Sequence, residues 1–330
     1  VILPAREHVM RYFDAAALEA ALGYPQLVDV LENAFRQGAL SPPRQHHTIQ
    51  LADRPAATLL LMPAWTSSAP GAETAGRFIG IKIATVFPDN AKLGKPSVNG
   101  AYVLLSAVTG EPLAIMDAAR LTVLRTAAAS ALAARYLARP DASRMVMVGA
   151  GALSPYLVRA HASVRPIREV LVWNRTPAHA EDVVRRLAGS GVRSAVASDL
   201  ETAVREADIV STATISSTPL IRGAWLKPGC HVDCVGAFRP DMRETDDEVV
   251  RRARIWVDTR AGALSEAGDI LIPLKAGVIS ESAIEGDLFD LSRGIAPVRR
   301  TPGEITMFKS VGASIEDLAA AVAVYEGNRP

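Results

Sequence analysis

The chain has 330 residues, enough for about two domains with well-filled cores. Hydrophobic residues make up 49% and charged residues 22%, a globular composition that excludes a disordered or fibrous protein. Lys and Arg number 36 against 35 Asp and Glu, so the net charge of +1 gives no pull toward nucleic acid or an anionic membrane.

Four zones follow one another along the chain. In the first, residues 1 to about 120, Leu27, Val30, Leu31 and Ala34 recur at helical spacing and predict a helix over 26–38. Strand-like runs follow at 58–62, 78–86 and 100–106, parted by the turn signals Pro88-Asp89-Asn90 and Thr109-Gly110. This zone reads as an α+β unit on an antiparallel or mixed sheet. The second zone is a long Ala-rich helix over about 117–139, stopped by Pro140 and placed to bridge two domains.

The third zone, about 143–259, alternates strands and helices. Strands are expected at 144–149, 169–174, 194–198, 208–214, 231–236 and 255–259, with helices at 155–164, 178–188 and 200–206. Continuous apolar runs such as Met145-Val146-Met147-Val148 suit a parallel sheet buried on both faces. The expected fold class is therefore α/β with a doubly wound parallel sheet. The last zone is Gly-rich and reads as irregular until an amphipathic helix over about 315–326, expected to pack back on the first zone. No internal repeat or low-complexity tail interrupts this order.

One loop carries specific chemistry. Gly149-Ala150-Gly151-Ala152-Leu153-Ser154 follows a buried strand and opens a helix. The first Gly permits a tight turn and the second lets the backbone approach a pyrophosphate. The helix N-terminus offers free N–H groups and the positive end of its dipole. Ser154 stands where the fingerprint has a third Gly. The next strand ends at Trp173-Asn174-Arg175-Thr176, where an NAD-preferring site has an acid accepting from the ribose hydroxyls. Asn174 has no charge to repel a 2′-phosphate, Arg175 can fork onto one, and Thr176 can add a hydrogen bond. This predicts NADP(H), with NAD(H) as the weaker alternative.

The sequence resembles the ornithine cyclodeaminase/mu-crystallin family. The resemblance is carried by Gly80-Ile81-Lys82-Ile83, Leu121-Thr122-Val123-Leu124-Arg125-Thr126-Ala127-Ala128, the 149–154 loop and Trp173-Asn174-Arg175-Thr176. Ser265-Glu266-Ala267-Gly268-Asp269 and Phe308-Lys309-Ser310-Val311-Gly312 complete it, in the family's order over most of the chain. It implies a homodimer with a Rossmann-type domain (121–304, with 121–139 as bridging helix). That domain would be inserted in a discontinuous α+β substrate and dimerisation domain of 1–120 plus 305–330. It also implies that Arg44, Lys82 and Arg125 hold a substrate carboxylate near the nicotinamide, and that Ser97, Thr214, Val235 and Ser310 line the cofactor. A guanidinium grips a carboxylate with two bonds, and the fixed orientation supplies much of the rate. Lys82 lies between Ile81 and Ile83 in a strand, so it points opposite to them, toward a polar cleft or solvent.

The chain departs from the family's cyclodeaminases at Gly236-Ala237-Phe238-Arg239-Pro240-Asp241-Met242-Arg243-Glu244. Those enzymes have a segment resembling Gly-Gly-Asp-x-Pro-Gly-Lys; here Phe238 takes the acidic position and cannot move a proton, while Asp241 beyond Pro240 would point elsewhere. The form is similar to the branch that reduces cyclic imino acids. The implied activity is NADPH-dependent hydride transfer to the C=N carbon of Δ1-pyrroline-2-carboxylate and Δ1-piperideine-2-carboxylate, giving L-proline and L-pipecolate. Lys82 or a bound water would donate the proton. The alternatives are an ornithine cyclodeaminase or amino-acid dehydrogenase using NAD, and a mu-crystallin-like NADPH carrier without turnover.

Other polar residues carry weaker signals. His46 and His47 follow Arg44, and His47 is a candidate pocket residue. His161 is expected on an exposed helix face. His231 begins a strand with no second ligand at metal spacing, so no metal is expected. Cys230 and Cys234 cannot alone form a zinc site or a disulfide scaffold, and Cys234 reads as packing. No Gly-x-Ser-x-Gly hydrolase signature is present. No run reaches the roughly 18–20 apolar residues of a membrane span, and no signal peptide is read, so a cytoplasmic enzyme is expected.

Overall fold

The computed structural model describes residues 10–66, 76–295 and 298–328. The chain divides into two compact units, one of Val1–Gly23, Gln37–Arg125 and Ser314–Pro330, the other of Tyr24–Arg36 and Thr126–Ala313.

The first unit is built on a seven-stranded sheet: β1 (Arg11–Phe13), β2 (Ala39–Leu40), β3 (Gln45–Ile49), β4 (Ala57–Thr66), β5 (Phe78–Val86), β6 (Val98–Ser106) and β7 (Pro112–Asp117). The order is β1-β7-β6-β5-β4-β2, with β3 also pairing β4. The three long central strands pair antiparallel, and register sets Met62, Lys82, Tyr102 and Met116 across from one another. Side chains alternate along β5: Gly80, Lys82 and Ala84 are buried, whereas Ile79 and Ile81 are half-buried and Ile83 is exposed. The buried face lies against the helix Ser314–Gly327. That helix was expected to be amphipathic, but it buries Ile315, Glu316, Asp317, Leu318, Ala321 and Val324 alike. A helix sunk in a core has no polar face to show. At Gly80 an added Cβ would overlap the Tyr102 hydroxyl, so the glycine makes room for that ring. The strands β1, β3 and β7 were not read from the sequence; β7 opens on Pro112, where its missing N–H is tolerated at the first position of a strand.

The second unit holds an eight-stranded parallel sheet: β8 (Arg144–Val148), β9 (Glu169–Trp173), β10 (Arg193–Val196), β11 (Ile209–Thr212), β12 (His231–Cys234), β13 (Ala253–Val257), β14 (Ile284–Asp287) and β15 (Ile305–Lys309). Its order is β10-β9-β8-β11-β12-β15-β13-β14, so the chain winds outward in opposite directions from the β8/β11 junction. This is the doubly wound α/β fold, whose crevice lies at the carboxyl ends of the strands beside the reversal. Every residue of β11, β12 and β15 is buried.

Two expected boundaries differ. The last zone is not irregular: it forms helices at Arg260–Glu266, Gly268–Lys275 and Leu288–Arg293 as well as β14 and β15. β15 inserts between β12 and β13, so residues 305–313 belong to the second unit, because a strand must satisfy its ladder on both sides. The helix Tyr24–Gln37, placed with the first zone, groups with the second unit over residues 24–36. Its Phe35 ring stands edge-on to Phe289 at 5.0 Å. The Ala-rich helix Ala118–Leu137 contributes to both units, the division falling after Arg125. Among the described residues no helix is long and apolar enough to cross a membrane.

Candidate functional site

In the second unit the loop after β8 has the geometry of an anion cradle. Gly149 adopts φ +106°, and an added Cβ would stand 2.6 Å from the Ala213 carbonyl oxygen. No other residue fits that position without strain. Gly149 N–H donates to Trp173 O at 2.9 Å, and Ser154 Oγ donates to Gly149 O at 2.9 Å. Ser154, in place of a third Gly, thus ties the turn to the first helical residue. At Gly151 an added Cβ would meet nothing within 4 Å, which leaves space over the loop. The backbone N–H groups of Ala150, Gly151, Ala152 and Leu153 reach no acceptor among the described residues, and the helix Ser154–Val164 has no acid in its first turn. Free donors, a positive helix end and open space fit the diphosphate of a dinucleotide. A cleft of about 590 Å³ opens along this loop, lined also by His179, Asp182 and Arg186 of the helix Pro177–Arg186.

At the end of β9, Asn174 Nδ2 donates to Thr176 O at 3.0 Å. Arg175 and Thr176 are exposed, and the Thr176 hydroxyl does not cap the helix it precedes. The three residues that follow this strand, Asn174, Arg175 and Thr176, include no Asp or Glu.

Thr214, Val235 and Ser310 lie just beyond the carboxyl ends of the adjacent strands β11, β12 and β15. Buried carboxylates hold these ends. Glu244 Oε1 accepts from Thr214 N (2.7 Å) and Thr214 Oγ1 (2.8 Å); its Oε2 accepts from Gly236 N (2.8 Å) and Ala237 N (3.2 Å). Asp258 Oδ2 accepts from Ser310 Oγ (3.0 Å), Val311 N (2.7 Å) and Gly312 N (2.6 Å). Beneath them Asp269 Oδ1 accepts from Glu244 N, Thr245 N and Thr245 Oγ1, while Asp269 Oδ2 pairs with Lys309 Nζ at 3.2 Å, both side chains fully buried. Burial pushes the Glu244 pKa up, and Lys309 opposes it. Burial would lower Lys309, but Asp269 and Glu244 hold it above its usual value. Sequence reading missed this network; its one local signal is a Lys closing a fully buried strand.

The first unit gathers the basic residues. Lys82 is 4% exposed, and its Nζ lies 2.8 Å from Asp317 Oδ2 and 3.4 Å from Thr122 Oγ1. Arg125 is equally buried; its Nε donates to Asp317 Oδ1 (2.9 Å) and its Nη1 to Glu316 Oε2 (2.6 Å). Arg44 is half-buried and near enough to act on Lys82 electrostatically. Burial pushes the Lys82 pKa down to about 8; Asp317 raises it, and Arg125 and Arg44 lower it. Burial would lift the Asp317 carboxyl, but Arg125 and Lys82 bring it below the usual range. Lys82 is thus nearly buried, with its ammonium set in an ion cluster with Asp317 and Arg125 rather than out in solvent. Asp317 and Glu316 were not singled out in the sequence, because they lie 192 and 191 positions from Arg125. Ser97 is half-buried, its carbonyl accepting from Phe87 N at 2.8 Å.

His161 corrects an expectation. It is fully buried, with Nδ1 donating to Leu157 O at 2.9 Å and Nε2 3.6 Å from Asp233 Oδ2, because its helix turns that face to the sheet. His231 is buried, bonds Thr306 Oγ1 at 2.9 Å, and burial drives its pKa well down. His46 and His47 are exposed on β3. Cys230 and Cys234 are free, buried thiols whose pKa values burial raises. Phe238 is 45% exposed, and Asp241 is exposed and paired with Arg239 at 2.6 Å. Among the described residues no group of three His, Cys, Asp or Glu could hold a metal ion.

Residues 6–329 match the model of the ornithine cyclodeaminase/mu-crystallin family. The Delta(1)-pyrroline-2-carboxylate reductase of Paracoccus denitrificans is 41% identical over 289 residues, 87% of this chain and 89% of that one. The structure of Thermococcus litoralis Delta(1)-pyrroline-2-carboxylate reductase with NADH and L-proline superposes with a TM-score of 0.88 at 32% identity, covering 96% of this chain and 97% of that one. An archaeal alanine dehydrogenase dimer with bound NAD gives a TM-score of 0.86 at 30% identity, covering 96% and 95%.

Proposed function

This chain belongs to the ornithine cyclodeaminase/mu-crystallin family, and from that premise we propose that it is an NADPH-dependent reductase of cyclic imino acids. It takes Δ1-pyrroline-2-carboxylate to L-proline and Δ1-piperideine-2-carboxylate to L-pipecolate. The observation that carries this reading is the buried cluster in which Lys82 and Arg125 share Asp317. An ammonium has three donors; Lys82 gives one to Thr122 and is ion-paired with Asp317. Arg125 commits Nε and Nη1 and leaves Nη2 uncommitted among the described residues. Two fixed cations with donors to spare suit a small carboxylate, which Arg44, Lys82 and Arg125 hold together.

When bound, the reduced nicotinamide supplies a hydride to the C=N carbon. Lys82 donates the proton that the ring nitrogen takes as the C=N π pair moves onto it. In the second unit Gly149 makes the turn, and the N–H groups of Ala150, Gly151, Ala152 and Leu153 bind the diphosphate. Asn174, Arg175 and Thr176 meet the adenosine end, where an exposed guanidinium and an Asn in the place of an acid favour a 2′-phosphate. Thr214, Val235 and Ser310 line the nicotinamide, and Ser97 is the first unit's candidate cofactor contact.

A cyclodeaminase needs an acid to act on amine or water. The exposed Phe238 and the Arg239-paired Asp241 argue against one. A homodimer belongs to the same reading. Ile79, Ile81, Ile83, Val103 and Ile115 leave an apolar, incompletely covered face on the first unit's sheet, which suits a second copy of the chain. A cytoplasmic setting, where NADPH is supplied and thiols stay reduced, completes it.

The test is NADPH oxidation with each cyclic imine, with NADH in parallel and ammonia release from ornithine alongside. Rapid turnover with NADPH is expected. Tight NADPH binding without turnover would overturn the reductase in favour of a carrier, and ammonia from ornithine would overturn it in favour of the lyase.

A further inference from the structure

Asp317 stands at the centre of the first unit's ion cluster. One carboxylate oxygen is 2.8 Å from the Lys82 ammonium and the other accepts from Arg125 Nε at 2.9 Å. Its side chain is fully buried. It lies in the first turn of the helix Ser314–Gly327, where the helix dipole favours a negative charge. Lys82 comes from β5 and Arg125 from the helix Ala118–Leu137, and among the described residues Asp317 is the one group paired with both. The charged and titratable groups around Lys82 are Asp317 and Glu316 from the C-terminal helix, Arg125, Arg44, and Tyr102 directly across the sheet. Of these Asp317 is the acid in direct contact with the Lys82 ammonium, and it favours the charged lysine. The Tyr102 hydroxyl is buried without a hydrogen-bond partner, and burial, then Asp317, raises its pKa well above normal, so it stays neutral.

We propose that Asp317 is a positioning residue for the reduction. It fixes the spacing of the Lys82 ammonium and the Arg125 guanidinium, and it retains the proton on Lys82 that the substrate nitrogen receives. The inference rests on the reductase reading above. In each turnover the hydride forms the new C–H bond, the C=N π pair moves to nitrogen, and the Lys82 N–H bond breaks as the ring N–H forms. Lys82 is left as a neutral amine beside Asp317 and takes up a proton before the next turnover. Burial lowers the Lys82 pKa to about 8, and Asp317 is the largest influence opposing that fall.

The experiment is the pH profile of kcat/KM for Δ1-pyrroline-2-carboxylate with saturating NADPH, for wild type, Asp317→Asn and Asp317→Glu. The wild-type profile falls as pH rises through about 8. In Asp317→Asn the falling limb moves to lower pH by about 1 to 3 units, the span that an adjacent opposite charge commands. Its activity therefore recovers toward wild type on acidification, while KM for the imine rises because Arg125 loses its anchor. Asp317→Glu keeps the charge, so its limb stays at the wild-type position even where kcat is reduced. A merely structural Asp317 would lower activity equally at every pH, and a limb unmoved in Asp317→Asn overturns the proposal. Where Asp317→Asn does not fold, a limb that shifts in Asp317→Glu overturns it instead. Failure of the wild type to reduce the imine overturns the reductase reading and this assignment together; wild-type turnover with an unmoved limb overturns this assignment alone.

Discussion

Replacing Glu244 with Gln changes one atom and no shape, yet four donors converge on the two carboxylate oxygens. An amide nitrogen must face one pair of them. Facing Gly236 N and Ala237 N, it strands two backbone N–H groups. Facing Thr214, it strands only Thr214 N, since the hydroxyl can turn and accept. The Thr214 side is therefore the cheaper choice. One buried backbone donor without an acceptor costs about 1–3 kcal/mol, and the surviving bonds lose the strength that the ionised acceptor lent them. The loss of one of the two anions near Lys309 adds to this. A total of about 2–4 kcal/mol follows. Because Thr214 then sits differently at the end of β11, KM for NADPH rises as well. Urea unfolding of the purified protein without nucleotide reads the first quantity, and initial rates read the second. Lys309→Met leaves Asp269 and Glu244 buried without their cation and costs about 3–5 kcal/mol. Glu244→Gln combined with Lys309→Met costs less than the two single changes added, because they share one network. A Glu244→Gln protein within about 0.5 kcal/mol of wild type, with unchanged KM, would refute the idea that this carboxylate ties the strand ends together.

Arg175→Ala raises KM for NADPH about 10-fold or more and leaves KM for NADH nearly unchanged, since only the first carries a 2′-phosphate. Equal effects on both nucleotides in steady-state kinetics would contradict the assignment. Gly149→Ala puts a Cβ 2.6 Å from the Ala213 carbonyl oxygen at a φ of +106° that Ala disfavours. It should abolish nucleotide binding by fluorescence titration, and retained affinity would mean the turn is not the cradle. For Lys82 the sign runs one way: the protonated form is the donor, its pKa is about 8, and so kcat/KM is high below that pH and lost above it. Lys82→Met removes this limb together with most of the turnover, and a limb that persists in the residual activity would assign the proton to another group.

Local pattern made much of the second unit legible. Apolar runs of parallel-sheet length marked β8, β9 and β11, and the loop from Gly149 to Ser154 marked the cradle. In each case the information lies within a few residues: a strand's apolar run, a glycine that a tight turn demands, a missing acid at Asn174. Phe78–Val86 was legible for the same reason, as an alternating apolar run between turns.

Tertiary structure alone decided the rest. A charged residue reads as surface until a counter-charge arrives, and here it arrives from far along the chain. Asp317 meets Arg125 across 192 positions, and Asp269 meets Lys309 only once both are folded into the second unit. His161 looked solvated because its turn of helix carries no local sign of which face meets the sheet. β15 takes its place between β12 and β13 because its backbone groups find ladder partners there. Periodicity and turn chemistry act over one or two turns of chain, so the sequence by itself marked the elements with a strong local pattern and the candidate nucleotide loop, and missed β1, β3, β7, β14 and β15. Burial and pairing of charge depend on which distant segments pack together, so only the folded chain decided that Lys82 and Arg125 are held by one carboxylate.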